Sequence, residues 1–296
     1  DVYNVAVGSN AGAAVTTGVQ NTLIGGLAGD ATTTGSYNVA LGKDSLTANT
    51  TGGSNVALGK SSMAANTTGG NNTAVGTLAV LSNTTGSNNV AVGREALEAN
   101  TTASNNTAVG YQSLTANTTG HSNTASGVNT LLLNTTGTQN TALGMGALVF
   151  NTTASNNTAV GFNSLNANTT GAENTAVGFQ TLAATTTGAS NTAMGMQAGT
   201  ALTTGATNVI IGYKAGYYNN ALTTGTDNTI IGAYTRSSSA TVDAEIVIGR
   251  FALGQGTLTA TLGNTGNGAT INIDGSDTSW AAHSDQRLKE NITTST

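Results

Sequence analysis

A five-residue phrase, Asn-x-Ala-Val-Gly in its commonest form, returns along this chain every 17 residues, and a fixed period of that length dictates a repeat architecture before any other feature is weighed. Its closing glycine falls at Gly8, Gly25, Gly42, Gly59, Gly76, Gly93, Gly110, Gly127, Gly144, Gly161, Gly178, Gly195 and Gly212, thirteen copies in register. The next copy closes at Gly232, an offset of 20, and Gly249 restores the offset of 17, so three extra residues lie near Tyr217 to Ala221. Four residues before each glycine stands an asparagine, from Asn4 to Asn228, until Glu245 replaces it in the last copy. Four residues after the glycine come Leu46, Met63, Leu97, Leu114, Leu131, Leu148, Leu165 and Leu182. A turn phrase follows, Asn-Thr-Thr-Gly from Asn49, Asn66, Asn83, Asn117, Asn134 and Asn168, with Ala103 and Ala154 in place of the glycine in two copies. Glycine and asparagine accept positive φ and close tight turns. Each repeat therefore predicts two short extended segments joined by two corners.

Threonine, asparagine and glycine are poor helix formers, which removes a helical repeat. The expected fold is all-β: a β-solenoid, or β-roll, of about fifteen 17-residue coils over residues 1–253, followed by a short β neck over 254–283. Coils stacked about 4.8 Å apart would align the asparagines into a hydrogen-bonded ladder. In the neck, Thr257 to Leu262 and Ala269 to Asp274 alternate polar and apolar residues on either side of a turn from Gly263 to Gly268, a pattern of two strands open to interleaving between chains. Neighbouring residues of a strand point to opposite faces, yet Ala6 and Val7, Ala40 and Leu41, Ala91 and Val92, Ile210 and Ile211, and Ile230 and Ile231 are apolar on both. An outward alanine row is the expected surface for lateral assembly of several chains.

Composition closes off several functions. With 7% charged residues and no proline the chain lacks the signature of disorder, and with no cysteine it has neither disulfides nor thiolate metal sites. A net charge of −5, with Arg287 and Lys289 the densest cationic feature, gives no electrostatic basis for binding nucleic acid. No run of about 18 apolar residues predicts a membrane span. The start at Asp1, inside a repeat, reads as a fragment or processed chain.

Enzymatic residues are sparse. His121 stands alone at a turn position and His283 in the tail, so no serine, histidine and aspartate set recurs. Most repeats lack Asp and Glu, which removes a glycosidase carboxylate pair and calcium-binding turns; no metal and no cofactor is expected. Asn-Thr-Thr matches the N-glycosylation acceptor, but the phrase is read as a turn and a ladder. Regular threonine columns leave ice binding as a rival function. The aromatic cluster Tyr213, Tyr217 and Tyr218, at the insertion, supplies the candidates for receptor binding.

The repeat phrase, with its trailing Ser/Ala-Leu, resembles the head repeats of trimeric autotransporter adhesins of the YadA type over residues 1 to about 253, although those repeats are nearer 14 residues long. That resemblance implies a left-handed roll assembled as a homotrimer. The segment Ser284-Asp285-Gln286-Arg287-Leu288-Lys289-Glu290-Asn291-Ile292 resembles the junction that opens the C-terminal intramolecular chaperone of bacteriophage tailspikes and tail fibres. In that family the chaperone drives trimerisation and then cuts itself off, which implies Ser284 as nucleophile, Lys289 as its base, and cleavage between Ser284 and Asp285 in a longer precursor; residues 284–296 would be the start of that domain. Together the resemblances imply a structural and adhesive phage tail fibre shaft, located in the virion, whose partners are its own copies, other tail proteins and a host-cell receptor, glycan or protein. A bacterial surface adhesin of the trimeric autotransporter type is the alternative.

Overall fold

The computed structural model describes residues 3–217, 221–264, 267–275 and 281–282, and these are all-β, without a helix. The coils form a β-solenoid of about fifteen turns, divided into two compact units, Asp1–Thr170 and Gly171–Thr296. The first holds ten coils, from β1 (Val5–Val7) to β10 (Thr158–Val160), and within it each strand before β10 pairs in parallel with the strand 17 residues on. In the second, five coils run from β11 (Thr175–Val177) to β15 (Ile246–Ile248). There β15 pairs in parallel with β16 (Thr259–Asn264), which forms an antiparallel hairpin with β17 (Asn267–Asn272), and β18 (Ala281–Ala282) adds to β17. The two neck strands thus pair with one another inside one chain.

One three-residue strand per coil is found, where two extended segments were expected. The cause lies in the backbone of the other half-coil: the second and fourth residues after the glycine take left-handed φ, as at Gln112 and Leu114, both +54°. That half folds into successive turns. It still bonds to the next coil, Leu114 N–H to the Thr130 carbonyl at 3.0 Å and Thr118 N–H to Thr135 at 3.0 Å. Every side of the coil therefore carries backbone hydrogen bonds without needing strand geometry.

The glycine column is fixed by two constraints at once. Gly110 has φ +138°, a region that side chains other than hydrogen rarely enter, and a Cβ there would sit 2.3 Å from the carbonyl oxygen of Gly127 in the next coil. The same geometry repeats from Gly8 to Gly144 in the first unit and from Gly178 to Gly249 in the second.

Asparagine forms two ladders. Asn106, four residues before Gly110, is fully buried; its amide group donates to the Gly120 carbonyl at 3.0 Å, and its side-chain oxygen accepts the backbone N–H of Asn123 at 3.0 Å. The side chain does the work of a missing backbone partner on each side. A second ladder runs through the turn phrase, where Asn117 donates to Asn100 at 3.1 Å and to the Gly120 carbonyl at 2.9 Å. These Asn-Thr-Thr asparagines are buried, so they serve as ladder and not as exposed glycosylation acceptors. Asn106→Ala should cost about 2 to 5 kcal/mol, because two buried backbone groups lose their partners; equilibrium denaturation of the substituted chain reads the loss. In the second unit the first ladder ends at Glu245, whose N–H bonds to Asn228 while its buried carboxylate accepts N–H groups of Ser238 at 3.0 Å and Gly256 at 2.9 Å. The replacement of asparagine by glutamate marks the place where the coil repeat gives way to the neck.

The ladder also sets which strand face is inside, and it overturns the outward alanine row. Asn106 and Ala108 are two residues apart and must share a face; the ladder holds Asn106 in the core, so Ala108 is buried and Val109 points out. Ala40, Ala57, Ala91, Ala108, Ala125 and Ala142 are all fully buried, whereas Leu41, Val92, Val109 and Leu143 are exposed. Alanine suffices inside because the volume comes from the opposite wall, where Leu46, Met63, Leu97 and Leu114 are fully buried. Where that wall loses its side chain the strand supplies one: Gly12 and Gly29 face Leu23, and Gly199 faces Ile210, and a Cβ on any of the three glycines would lie 2.8 to 2.9 Å from those side chains. The exchange conserves core volume, as close packing demands.

Candidate functional site

Two surface features carry chemistry beyond the stack. The first is the outward rank at the strand's last residue together with the residue just past the glycine. In the first unit it presents Val92, Val109 and Leu143 beside Tyr111, Val128 and Met145, all exposed; in the second it presents Met194 beside Phe179, Met196 and Tyr213. Rows of large apolar side chains on both columns of several coils exceed the scatter of single exposed hydrophobes that soluble surfaces carry.

The second feature is an aromatic and cationic patch in the second unit. It is built by three successive coils. β13 (Val209–Ile211) is followed by Gly212, whose φ of +132° turns the chain so that Tyr213 and Lys214 follow on the outside. β14 (Thr229–Ile231) delivers Tyr234 in the same way, and β15 delivers Arg250 and Phe251. Backbone bonds hold these corners one coil apart, Tyr234 N–H to the Tyr213 carbonyl at 2.9 Å and Phe251 N–H to Ala233 at 2.9 Å. The rings inherit that spacing: Tyr234 and Phe251 stack with centroids 4.8 Å apart and planes 5° from parallel, and Tyr213 meets Tyr234 edge to face at 5.0 Å. The Lys214 ammonium lies 5.5 Å from the Tyr213 ring and 5.8 Å from Tyr217, and the Arg250 guanidinium 4.6 Å from Phe251, within cation–π range. Hydrogen bonding between the phenols of Tyr213 and Tyr234, with burial second, raises the Tyr234 pKa above the ordinary tyrosine value.

Of the predicted receptor-binding residues, Tyr213 and Tyr217 are brought together around Lys214, while Tyr218 lies outside the described residues. Sequence reasoning missed Lys214, Tyr234, Arg250 and Phe251. The signal was present, since all four sit one or two residues past a repeat glycine, but the offset of 20 between Gly212 and Gly232 hid the alignment. Ser284, Asp285 and Lys289, the residues of the implied cleavage junction, lie outside the described residues.

Elsewhere, Glu95 gathers Arg94 and Gln112, the latter donating to its carboxylate at 2.7 Å, and Arg94 also lies over the Tyr111 ring. Nearby Glu98 has its pKa raised, by burial first and by the Glu95 charge second. His121 is exposed, with its Nδ1 3.3 Å from the Ser122 hydroxyl. Among the described residues no three His, Asp or Glu side chains converge as a metal site would require, and no helix is long and apolar enough to cross a membrane. Comparison with protein-family models, with curated proteins and with solved structures gives no match.

Proposed function

We propose that this chain forms the shaft of a homotrimeric phage tail fibre that attaches the virion to its host cell. The observation that carries the reading is the exposed apolar rank of the first unit: a solenoid that already buries its alanine row still presents Val92, Val109 and Leu143 to solvent, and three copies packed about a common axis along that unit would cover them. The likeness of residues 284–292 to a tail-fibre chaperone junction supports the fibre over a bacterial surface adhesin. A chaperone there would answer a particular difficulty of assembly, because slipping one chain by 17 residues leaves most contacts between copies intact.

Sedimentation equilibrium tests the assembly. The parent chain is expected at three times its mass of 29.0 kDa, and the triple substitution Val92→Glu, Val109→Glu and Leu143→Glu at folded monomer, since the new carboxylates remain hydrated until copies try to dock. A folded parent monomer would refute the trimer. Attachment is tested separately, by whether purified chain competes with the parent phage for adsorption to its host.

A further inference from the structure

We infer that the patch formed by Tyr213, Lys214, Tyr217, Tyr234, Arg250 and Phe251 is a binding site for an acidic saccharide, a sugar ring bearing a carboxylate or sulfate. The inference deepens the attachment reading by naming a site and a ligand class, and it rests on that reading only for its biological purpose.

Three observations converge. The chain is 4% aromatic, seven tyrosines, four phenylalanines and one tryptophan, yet four aromatic side chains stand together here, and Tyr213 and Tyr217 expose 38% and 36% of their surface. Tyr234 and Phe251 stack on one another, and Tyr213 and Tyr217, partly open to water beside them, offer the apolar area against which the C–H face of a pyranose can pack; such rigid aromatic area is the usual anchor of recognition. Second, the cations here are unlike the two that form ion pairs in the first unit. There, Lys43 meets Asp44 at 2.8 Å and Arg94 meets Glu95; Lys214 and Arg250 face rings, and among the described residues neither has a carboxylate within ion-pair distance. Third, three acids of the same unit, Glu173, Asp227 and Asp243, are committed to the corner at the other end of the strand, and Glu245 is buried against the N–H groups of Ser238 and Gly256. Glu173 accepts from the Ser190 hydroxyl, Asp227 from Thr207, and Asp243 from the N–H and hydroxyl of Thr226. The patch is therefore a locally positive, aromatic platform in a chain of net charge −5. A ligand that supplies both a hydrophobic face and an anionic group uses both halves of it; a neutral sugar uses one.

The test titrates the purified chain with three probes, an oligogalacturonate hexamer, a carrageenan-derived hexasaccharide that carries sulfate and no carboxylate, and neutral cellohexaose, by calorimetry and tyrosine fluorescence. At least one acidic probe should bind about tenfold more tightly than cellohexaose, the worth of a single charge-assisted contact, and the better of the two tells carboxylate from sulfate. Arg250→Gln and Lys214→Gln should each weaken that binding about tenfold, with Arg250→Lys retaining part of it. Tyr213→Ala should weaken it too; because Arg250 is an exposed side chain, its substitution keeps the test valid even where loss of a tyrosine harms folding, which circular dichroism would register. Equal binding of all three probes, unchanged affinity in Arg250→Gln, or polyanion binding indifferent to Tyr213→Ala each overturns the proposal. If host attachment persists when these substitutions are made together, the saccharide site is wrong and the fibre reading stands.

Discussion

Gly110→Ala should destabilise the first unit by about 3 kcal/mol or more, through backbone strain of left-handed φ added to steric overlap. The overlap is with main chain, the Gly127 carbonyl at 2.3 Å, so no rotamer change relieves it. Gly26 is the control, because a Cβ there meets nothing within 4 Å and its φ lies outside the left-handed range; Gly26→Ala should be neutral or stabilise by about 0.4 to 1 kcal/mol through the unfolded chain. Close approach alone does not decide the outcome. A Cβ on Gly86 would come within 2.2 Å of the Ala103 carbonyl, yet that same column holds Ala103 and Ala154, because its φ is ordinary and a small shift accommodates the methyl. Thermal melts of Gly110→Ala and Gly26→Ala side by side should separate them clearly, and equal melting temperatures would refute the argument from φ.

Ala108→Glu should be the more damaging of two adjacent substitutions on β7 (Thr107–Val109). Ala108 is fully buried between Ala91 and Ala125 of the neighbouring coils, so a carboxylate there has neither room nor a partner, and the cost is about 4 kcal/mol or more. Val109→Glu, one residue on, places its charge outside the coil and should leave the fold of the single chain within about 1 kcal/mol of the parent, its effect falling on association between copies instead. Hydrogen exchange is the informative measurement: amides of the coils on both sides of Ala108→Glu should lose protection first, since each coil is supported only by its neighbours. Comparable protection in the two variants would contradict the assigned face.

That pair also shows where the sequence was legible. The 17-residue period revealed the solenoid, its coil count and the asparagine ladder, because each depends on identity between coils, and identity is visible without coordinates. Which way a row points is a different kind of fact. Reading Ala91 and Val92 alone leaves the two faces equivalent; only the ladder, by pinning Asn89 inside, settles the phase. The turn half of the coil was misjudged for a similar reason, since Leu114 at φ +54° is a conformation that leucine seldom adopts and that stacking imposes. The aromatic patch was half visible. Tyr213 and Tyr217 stand near one another in the chain, while Tyr234 and Phe251 join them only once the coils are superposed.

The ladders have a mechanical consequence. In either unit nearly every hydrogen bond beyond the local turns joins one coil to the next, as from Leu114 to Thr130 or from Asn106 to Gly120, so no pair of distant segments resists a pull by sliding past each other. Tension applied along the chain would load only the outermost coil and unwind it like tape from a spool, releasing roughly 55 Å of extended backbone per 17-residue turn. The freshly exposed coil beneath is the template onto which the released turn rewinds when the load falls. A tether made this way yields at nearly constant force and absorbs work, where a single cooperative domain would hold and then fail at once.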